Sequence, residues 1–165
     1  MGRIFVFGDD IDTDVIAPGG YLHLRIEEVK KHCMEAIYPD FWKDVAKGDI
    51  IIAGKNFGTG SSREQAPVVL MELGISLILA TSFARIFFRN AVNVGLPIGT
   101  ITGPLELRTG DIAEIDLEKG ELIRATDHKA IRFKAPSGAL ADILSEGGII
   151  PYTLKKLGKL PDDKH

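Results

Sequence analysis

The chain has 165 residues, 45% of them hydrophobic and 26% charged, which predicts a single globular domain over residues 1–165 with apolar material for one core. Its formal net charge is -3, and its lysines and arginines are scattered rather than grouped in a basic stripe, which argues against nucleic-acid binding. No apolar run approaches the ~18 residues of a membrane-spanning helix. The one cysteine, Cys33, excludes an internal disulfide and any zinc or iron–sulfur site built from the chain's own thiolates, so we expect a cytoplasmic protein without a membrane partner.

The first part of the chain combines short apolar runs with an acidic loop. Residues 4–7 predict a strand, and residues 8–20 predict a loop because they hold four aspartates, Pro18 and a Gly-Gly pair. Apolar residues then recur every three or four positions over 24–37, which predicts a helix ending before Pro39. Calcium is an alternative use of the aspartates, but the loop lacks the glycine and glutamate of an EF-hand.

The middle of the chain alternates strands and helices. Apolar runs predict buried strands at 50–53, 75–80 and 98–101, and helical spacing predicts helices at 68–73 and 83–94. This β-α-β-α-β order favours an α/β fold, a partly parallel sheet with covering helices. Beyond it, the sequence predicts three strands of a β-meander at 112–117, 121–125 and 130–133. A last short helix is predicted at 139–144, and the end of the chain, 160–165, is predicted to be frayed.

The most informative segment is a glycine-rich loop between a predicted strand and a predicted helix. Its three glycines, of which Gly60 is the last, let the backbone approach a ligand closely. Ser61, Ser62 and Arg63 follow, and a guanidinium matches a carboxylate with two parallel hydrogen bonds. The loop therefore predicts an anion site, although it is neither a Walker loop nor a complete G-x-G-x-x-G, which disfavours nucleotides.

Helix capping is the structural alternative for these serines. Ser61 and Ser62 each stand three residues before Glu64 or Gln65, the spacing of a capping box. Pro67 opposes a cap at either serine, because we expect it at the first helical position, with 61–64 as an irregular turn that faces a site. Spacing alone leaves both interpretations open.

Three segments, in order along the whole chain, resemble the small subunit of 3-isopropylmalate dehydratase in the aconitase superfamily. Residues 54–67 (GKNFGTGSSREQAP) resemble the family signature, and residues 8–18 (GDDIDTDVIAP) resemble its opening loop. Residues 82–91 (SFARIFFRNA), with the Gly-Leu-Pro at 95–97, resemble its second block. One residue departs from the pattern, since the family commonly has histidine where this chain has Gln65.

The resemblance implies a swivelling β/β/α domain and a hydro-lyase that interconverts 2-isopropylmalate and 3-isopropylmalate through isopropylmaleate, in leucine biosynthesis. In this superfamily a 4Fe–4S cluster acts as a Lewis acid on the substrate. Since one cysteine cannot hold it, the resemblance implies a large cluster-bearing subunit as partner, with no metal or cofactor on this chain.

The resemblance also implies roles for individual residues. Ser61 matches the family's catalytic serine, which acts as an alkoxide base, while Ser62 and Arg63, with Gly60, bind a carboxylate of the small 2-hydroxy di- or tricarboxylic acid. Asp14 matches an aspartate near the site that could orient an arginine or a water.

The family's specificity loop falls on four consecutive residues: Tyr21, Leu22, His23 and Leu24. Apolar side chains there suit an isopropyl group, whereas an arginine at the third position would suit the extra carboxylate of homoaconitate. His23 is neither apolar nor permanently charged. A homoaconitase or dual-specificity small subunit of lysine biosynthesis therefore stays open, as does a non-catalytic anion-binding module.

Overall fold

The computed structural model describes residues 1–103 and 106–159, and its centre is a seven-stranded sheet of order β4-β3-β2-β1-β5-β6-β7. The parallel half contains β1 (Gly2–Val6), β2 (Ile50–Ala53), β3 (Leu77–Ala80) and β4 (Ile98–Thr100). The antiparallel half contains β5 (Ile112–Asp116), β6 (Glu121–Arg124) and β7 (Ala130–Arg132). The predicted α/β fold with a partly parallel sheet is therefore confirmed.

Seven helices lie in the described ranges, most of them between the parallel strands. They are α1 (Thr13–Ile16), α2 (Ile26–Val29), α3 (Phe41–Asp44), α4 (Gln65–Leu73), α5 (Arg85–Val94), α6 (Ala139–Ser145) and α7 (Ile149–Lys156). Glycines in the left-handed conformation end the two longest, Gly74 after α4 and Gly95 after α5. Two short 3₁₀ turns, Gly19–Tyr21 and Lys30–His32, complete the helical elements of this part of the chain.

The sheet is covered on both faces, which explains the continuous apolar runs of β2 and β3. Ile51 and Ile78 pack with the helices in one core. Ile50 and Leu77 face the other way, into a second core that includes Leu122 of β6. The sheet curls, because the backbone after β7 pairs with β4, where the Thr100 amide donates to the Lys134 carbonyl at 2.9 Å. The result is the expected β/β/α layering.

The prediction of one helix over 24–37 is wrong. The segment makes a single turn, α2, then the 3₁₀ turn Lys30–His32, and then reverses at Met34, whose φ is +60°. Cys33 and Met34 are fully buried, and the Met34 amide donates to the Val15 carbonyl at 2.9 Å. Packing of these two side chains beneath the loop after β1 overrides the helical periodicity.

The C-terminal part contains more helix than the sequence pattern predicts. The expected helix over 139–144 is present as α6, but α7 follows it directly after Gly147 and Gly148, whose φ angles are +81° and +123°. Pro151 in the first turn of α7 and lysines in its last turn are signals that indicate this helix. The predicted fraying of 160–165 lies outside the described residues.

Candidate active site

The candidate site lies at the carboxyl ends of β1 and β2, where parallel strands meet at one edge of the sheet. The loops that follow these strands are joined by backbone hydrogen bonds. The Gly58 amide donates to the Ile11 carbonyl at 2.7 Å, and the Thr13 amide donates to the Thr59 carbonyl at 2.8 Å. The two loops therefore form one unit, although more than forty positions separate them in the sequence.

The aspartates of the first loop each have a separate structural partner. The Asp9 carboxylate accepts from the Lys55 amide at 2.7 Å, and the Asp10 carboxylate accepts from the Asn56 side chain at 3.0 Å. The Asp12 carboxylate caps α1. The described residues include no group of three metal-ligating side chains, so the calcium alternative gains no support.

Two glycines allow the second loop to pack closely against its surroundings. Gly58 has a φ of +78°, and a Cβ there would overlap Cβ and Cγ of Phe87 on α5. Gly60 has a φ of +99°, and a Cβ there would lie 3.2 Å from the Thr13 hydroxyl. These positions fix the course of the chain into Ser61.

Ser61 is exposed at the start of the turn before α4, and its main chain is well anchored. Its carbonyl accepts from the Arg63 amide at 2.8 Å and from the Thr13 hydroxyl at 3.0 Å. Its own hydroxyl oxygen lies 3.4 Å from the Thr13 hydroxyl. Ser61 is thus an exposed residue whose backbone is held by Thr13 and Arg63.

The capping alternative for the serines is wrong. α4 begins at Gln65, its N-terminal flanking residue is Glu64, and no side chain of the described residues caps it. The sequence predicted Pro67 at the first helical position, but Pro67 is the third residue of α4. The physical reason for its position still holds, because amides in the first helical turn have no partner within the helix. Residues 61–64 form the expected irregular turn.

Arg63 and Asp14 form an ion pair across the two loops. Arg63 Nη1 donates to the Asp14 carboxylate and, at 2.8 Å, to the Ala17 carbonyl. The Arg63 hydrogen bond, together with one from the Gly19 amide at 2.9 Å, holds the pKa of Asp14 below its ordinary value. Nε and Nη2 of Arg63 have no partner among the described residues, so this edge of the guanidinium can bind a carboxylate in two-point fashion.

The predicted specificity residues lie close in the sequence to a glycine that contacts this ion pair. Gly19 lies against Arg63, since a Cβ on Gly19 would be 3.1 Å from Nη2. The 3₁₀ turn Gly19–Tyr21 then leads to Leu22, which is half-buried, and to His23 and Leu24, which are exposed.

The ring of Tyr21 is held by a residue nearby in the sequence. It stacks on His32, with ring centroids 3.6 Å apart and an interplanar angle of 8°. His32 is held in turn by Glu35, whose carboxylate lies 2.7 Å from Nδ1. His32 therefore has a structural role, since it supports the ring of Tyr21.

Most of the predicted residues lie at one edge. The loop contacts described above join Gly60, Ser61, Arg63 and Asp14, while Ser62 and Gln65 are exposed beside them. The sequence interpretation missed Thr13, which contacts Ser61, and Gly19, which contacts Arg63. The Asp-Thr-Asp sequence after a strand and the Gly-Gly pair were the signals available for these two.

The chain's own residues do not fit an iron–sulfur cluster. Cys33 is the only cysteine of the chain, and it is fully buried in the core that includes Ile51 and Ile78. Burial raises the pKa of its thiol far above the ordinary value. A cluster ligand must be a thiolate that can reach the metal. Within residues 1–103 and 106–159, no helix is long and apolar enough to cross a membrane.

Comparison with known proteins gives matches to one superfamily, and the relatives match over nearly the full length. Residues 26–101 match the family model of the aconitase C-terminal domain. The chain is 53% identical to 3-isopropylmalate dehydratase small subunit 1 of Thermotoga maritima, over 97% of each chain. It is 48% identical to the methanogen homoaconitase small subunit of Methanocaldococcus jannaschii, over 94% of this chain and 91% of that one.

Structural comparison agrees with the sequence matches. A crystal structure of 3-isopropylmalate dehydratase from Methanocaldococcus jannaschii has a TM-score of 0.90 at 46% identity. The match covers 94% of this chain and 93% of that chain. The chain therefore belongs to the family of isopropylmalate dehydratase and homoaconitase small subunits, within the aconitase superfamily.

Proposed function

We propose that this chain is the small subunit of a hydro-lyase that interconverts 2-isopropylmalate and 3-isopropylmalate through isopropylmaleate. The observation that carries the proposal is the exposed Ser61, two residues before an arginine, Arg63, whose Nε and Nη2 have no partner among the described residues, at the carboxyl ends of two parallel strands. Full-length relatives named 3-isopropylmalate dehydratase small subunit support the same substrate.

The proposed substrate contacts follow from the unpaired groups of the site. Arg63 binds a substrate carboxylate through Nε and Nη2, because Nη1 is occupied by Asp14 and Ala17. Ser62 adds a hydroxyl donor, and Gly60 allows its backbone to approach the ligand. Asp14 holds the guanidinium in place rather than contacting substrate.

Ser61 carries the proton in the proposed reaction. As an alkoxide, Ser61 Oγ removes a proton from the carbon beside a carboxylate, the electron pair of that C–H bond forms the C=C bond of isopropylmaleate, and the C–O bond at the neighbouring carbon breaks with release of hydroxide. Addition of hydroxide to the carbon that lost the proton, with return of the proton from Ser61 Oγ to the carbon that lost the hydroxyl group, completes the isomerisation. A serine hydroxyl is a weak base unless its anion is stabilised, and the cation of Arg63 favours the alkoxide.

We further propose that a large subunit carries the 4Fe–4S cluster, since the buried Cys33 cannot. Relatives named as small subunits support the existence of such a partner. The cytoplasm stays our prediction for the compartment, because the chain's one thiol is free. One domain over residues 1–165 also stays a prediction.

Reconstitution is the experiment that tests this function. The purified chain alone is expected to contain no iron and to have no activity, and anaerobic mixing with a large subunit of this family is expected to produce isopropylmalate isomerisation. Turnover by the chain alone would overturn the two-subunit proposal. Failure to bind any such subunit, with retained carboxylate binding, would favour an anion-binding module.

The role of Ser61 is tested in the reconstituted complex. Ser61→Ala is expected to assemble normally and to lower kcat by a factor of about 10³ or more, because the proton acceptor is lost. Ser145→Ala is the matched control, since the hydroxyl of Ser145 donates to the Asp142 carbonyl within α6 and bonds to no other described residue. Near-normal turnover by Ser61→Ala would remove serine from the base role.

Homoaconitate is the second candidate substrate. Homoaconitase small subunits of two methanogens are 48% and 46% identical to this chain. His23 is exposed in the predicted specificity loop and can donate a hydrogen bond to an additional carboxylate. We propose isopropylmalate as the main substrate, with measurable homoaconitate turnover by the same complex.

A further inference from the structure

Thr13 is a buried polar side chain to which the proposed mechanism has so far given no role. It is only 2% exposed, at the first position of α1, and lies directly beneath Ser61. Its amide donates to the Thr59 carbonyl at 2.8 Å, and its own carbonyl accepts from the Ala17 amide at 2.9 Å. The backbone of Thr13 is therefore fixed on both sides, so its hydroxyl oxygen has a defined position.

That hydroxyl has two possible acceptors on Ser61. It donates to the Ser61 carbonyl at 3.0 Å, and it lies 3.4 Å from the Ser61 hydroxyl oxygen. A threonine hydroxyl has one proton, so it can donate to only one of the two acceptors at a time. Rotation about the C–O bond moves that proton from the carbonyl to the hydroxyl oxygen.

The Ser61 carbonyl does not depend on Thr13. It also accepts from the Arg63 amide at 2.8 Å, so it keeps a donor when the Thr13 proton turns away. A hydrogen bond to an anionic oxygen is about twice as strong as one between neutral groups. Formation of the Ser61 alkoxide therefore favours the rotated state, at little cost to the carbonyl.

We propose that Thr13 is a positioning residue that switches its hydrogen bond from the Ser61 carbonyl to the Ser61 alkoxide. The rotation forms and breaks no covalent bond. Gly60 is part of the arrangement, because a side chain there would press on the Thr13 hydroxyl. The inference rests on the proposed function, since it requires Ser61 to ionise.

The test compares Thr13→Val, which removes the hydroxyl at nearly constant volume, with Thr13→Ser, which keeps it. In the reconstituted complex, Thr13→Val is expected to lower kcat by roughly 10- to 100-fold with KM within about twofold, since one donor to a developing anion is lost. Thr13→Ser is expected to retain activity within about threefold. Thr13→Ala, which puts no methyl group in place of the oxygen, is expected to show the same fall in kcat. It replaces Thr13→Val in the test if that variant does not fold.

Two readouts separate this role from simple packing. On the Ser61→Ala background, Thr13→Val is expected to cause no further loss of the residual rate, because the residues act through one oxygen. The acid-side inflection of kcat/KM is expected to move to higher pH in Thr13→Val, because the alkoxide forms less readily. An equal loss with and without Ser61, or an unchanged inflection, would overturn the inference.

The outcome also distinguishes this inference from the proposed function. If the wild-type complex is active and Ser61→Ala is not, while Thr13→Val matches wild type, the inference fails and the function stands. If Ser61→Ala turns over normally, the base role of Ser61 and the inference both fail, because there is no alkoxide to stabilise, whereas an inactive wild-type complex would refute the proposed function itself.

Discussion

The two halves of the candidate site are held in different ways. The segment that contains Ser61 is fixed by residues distant in sequence, through hydrogen bonds to the loop after β1 and contact of Gly58 with α5. The segment 19–24 is held mostly by its own neighbours: the Leu24 amide donates to the Tyr21 carbonyl at 2.9 Å, and Tyr21 stacks on nearby His32.

This difference matches the two tasks of the site. Proton transfer requires donors and acceptors whose positions are set before substrate arrives, and contacts between distant parts of the chain provide such rigidity. Substrate selection requires only that a few exposed side chains match one end of the ligand. Substitutions in the first segment should therefore lower the rate, whereas substitutions in the second should change the choice of substrate.

The largest expected effect is from Gly58→Ala, which tests whether the first segment is rigid. The new Cβ would overlap Phe87 near its backbone, at a φ of +78°, so we expect a loss of unfolding free energy above about 2 kcal/mol and loss of activity. Gly110→Ala is the matched control, with a φ of +100° but nothing within 4 Å of the new Cβ. It should cost about 1 kcal/mol in urea or thermal unfolding. Equal losses in the two variants would show that α5 does not constrain the loop.

Arg63→Lys tests how the two segments are joined. A lysine ammonium cannot bond Asp14 and Ala17 while also presenting two parallel donors to a carboxylate, so we expect kcat/KM to fall by roughly 10- to 100-fold, mainly through KM. Arg124→Lys changes a similar pair with Asp127 at the turn between β6 and β7 and should leave the rate unchanged. A normal KM in Arg63→Lys would show that the guanidinium edge does not bind substrate.

His23 substitutions test the second segment. His23→Arg should shift the ratio of kcat/KM values toward homoaconitate, and His23→Val toward isopropylmalate, each by about tenfold, because an unmatched charge at a ligand is rejected. His128→Arg adds the same charge at an exposed position between β6 and β7 and should leave the ratio unchanged. If both His23 variants retain the parent ratio, the partner subunit selects the substrate.

The sequence predicted the part of the fold that local patterns determine. Apolar runs bounded by glycine located the parallel strands, and the glycine loop located Ser61 and Arg63, because both signals lie within a few residues. It failed over 24–37, where the burial of Cys33 and Met34 against another loop decides the backbone. Such packing involves partners that a periodicity count does not include.

The same limit applies to the candidate site. The pairing of Asp14 with Arg63 joins positions 49 residues apart, so spacing could not indicate it, although the resemblance placed both near the site. Thr13 shows the limit more clearly. Its hydroxyl contacts Ser61 because the loop after β2 passes over it, and the Asp-Thr-Asp sequence draws attention to position 13 without indicating that contact.

The smallest expected effect concerns Asp14, whose carboxylate joins the two segments. Its hydrogen bonds from Arg63 and Gly19 hold its pKa below the ordinary value of 3.8, so the stabilisation from this pair is present above pH 3.8 and is lost as pH falls through the lower folded pKa. The Asp14 side chain is 66% exposed, so its contribution to stability is small and is screened by salt.

NMR titration of the Asp14 carboxyl carbon should give a midpoint below 3.8, and Arg63→Gln should raise that midpoint. Arg124→Gln should instead raise the pKa of Asp127, which is about 2. A midpoint for Asp14 above 3.8 would show that Arg63 is not held by this carboxylate, and that the two segments are joined only through the backbone.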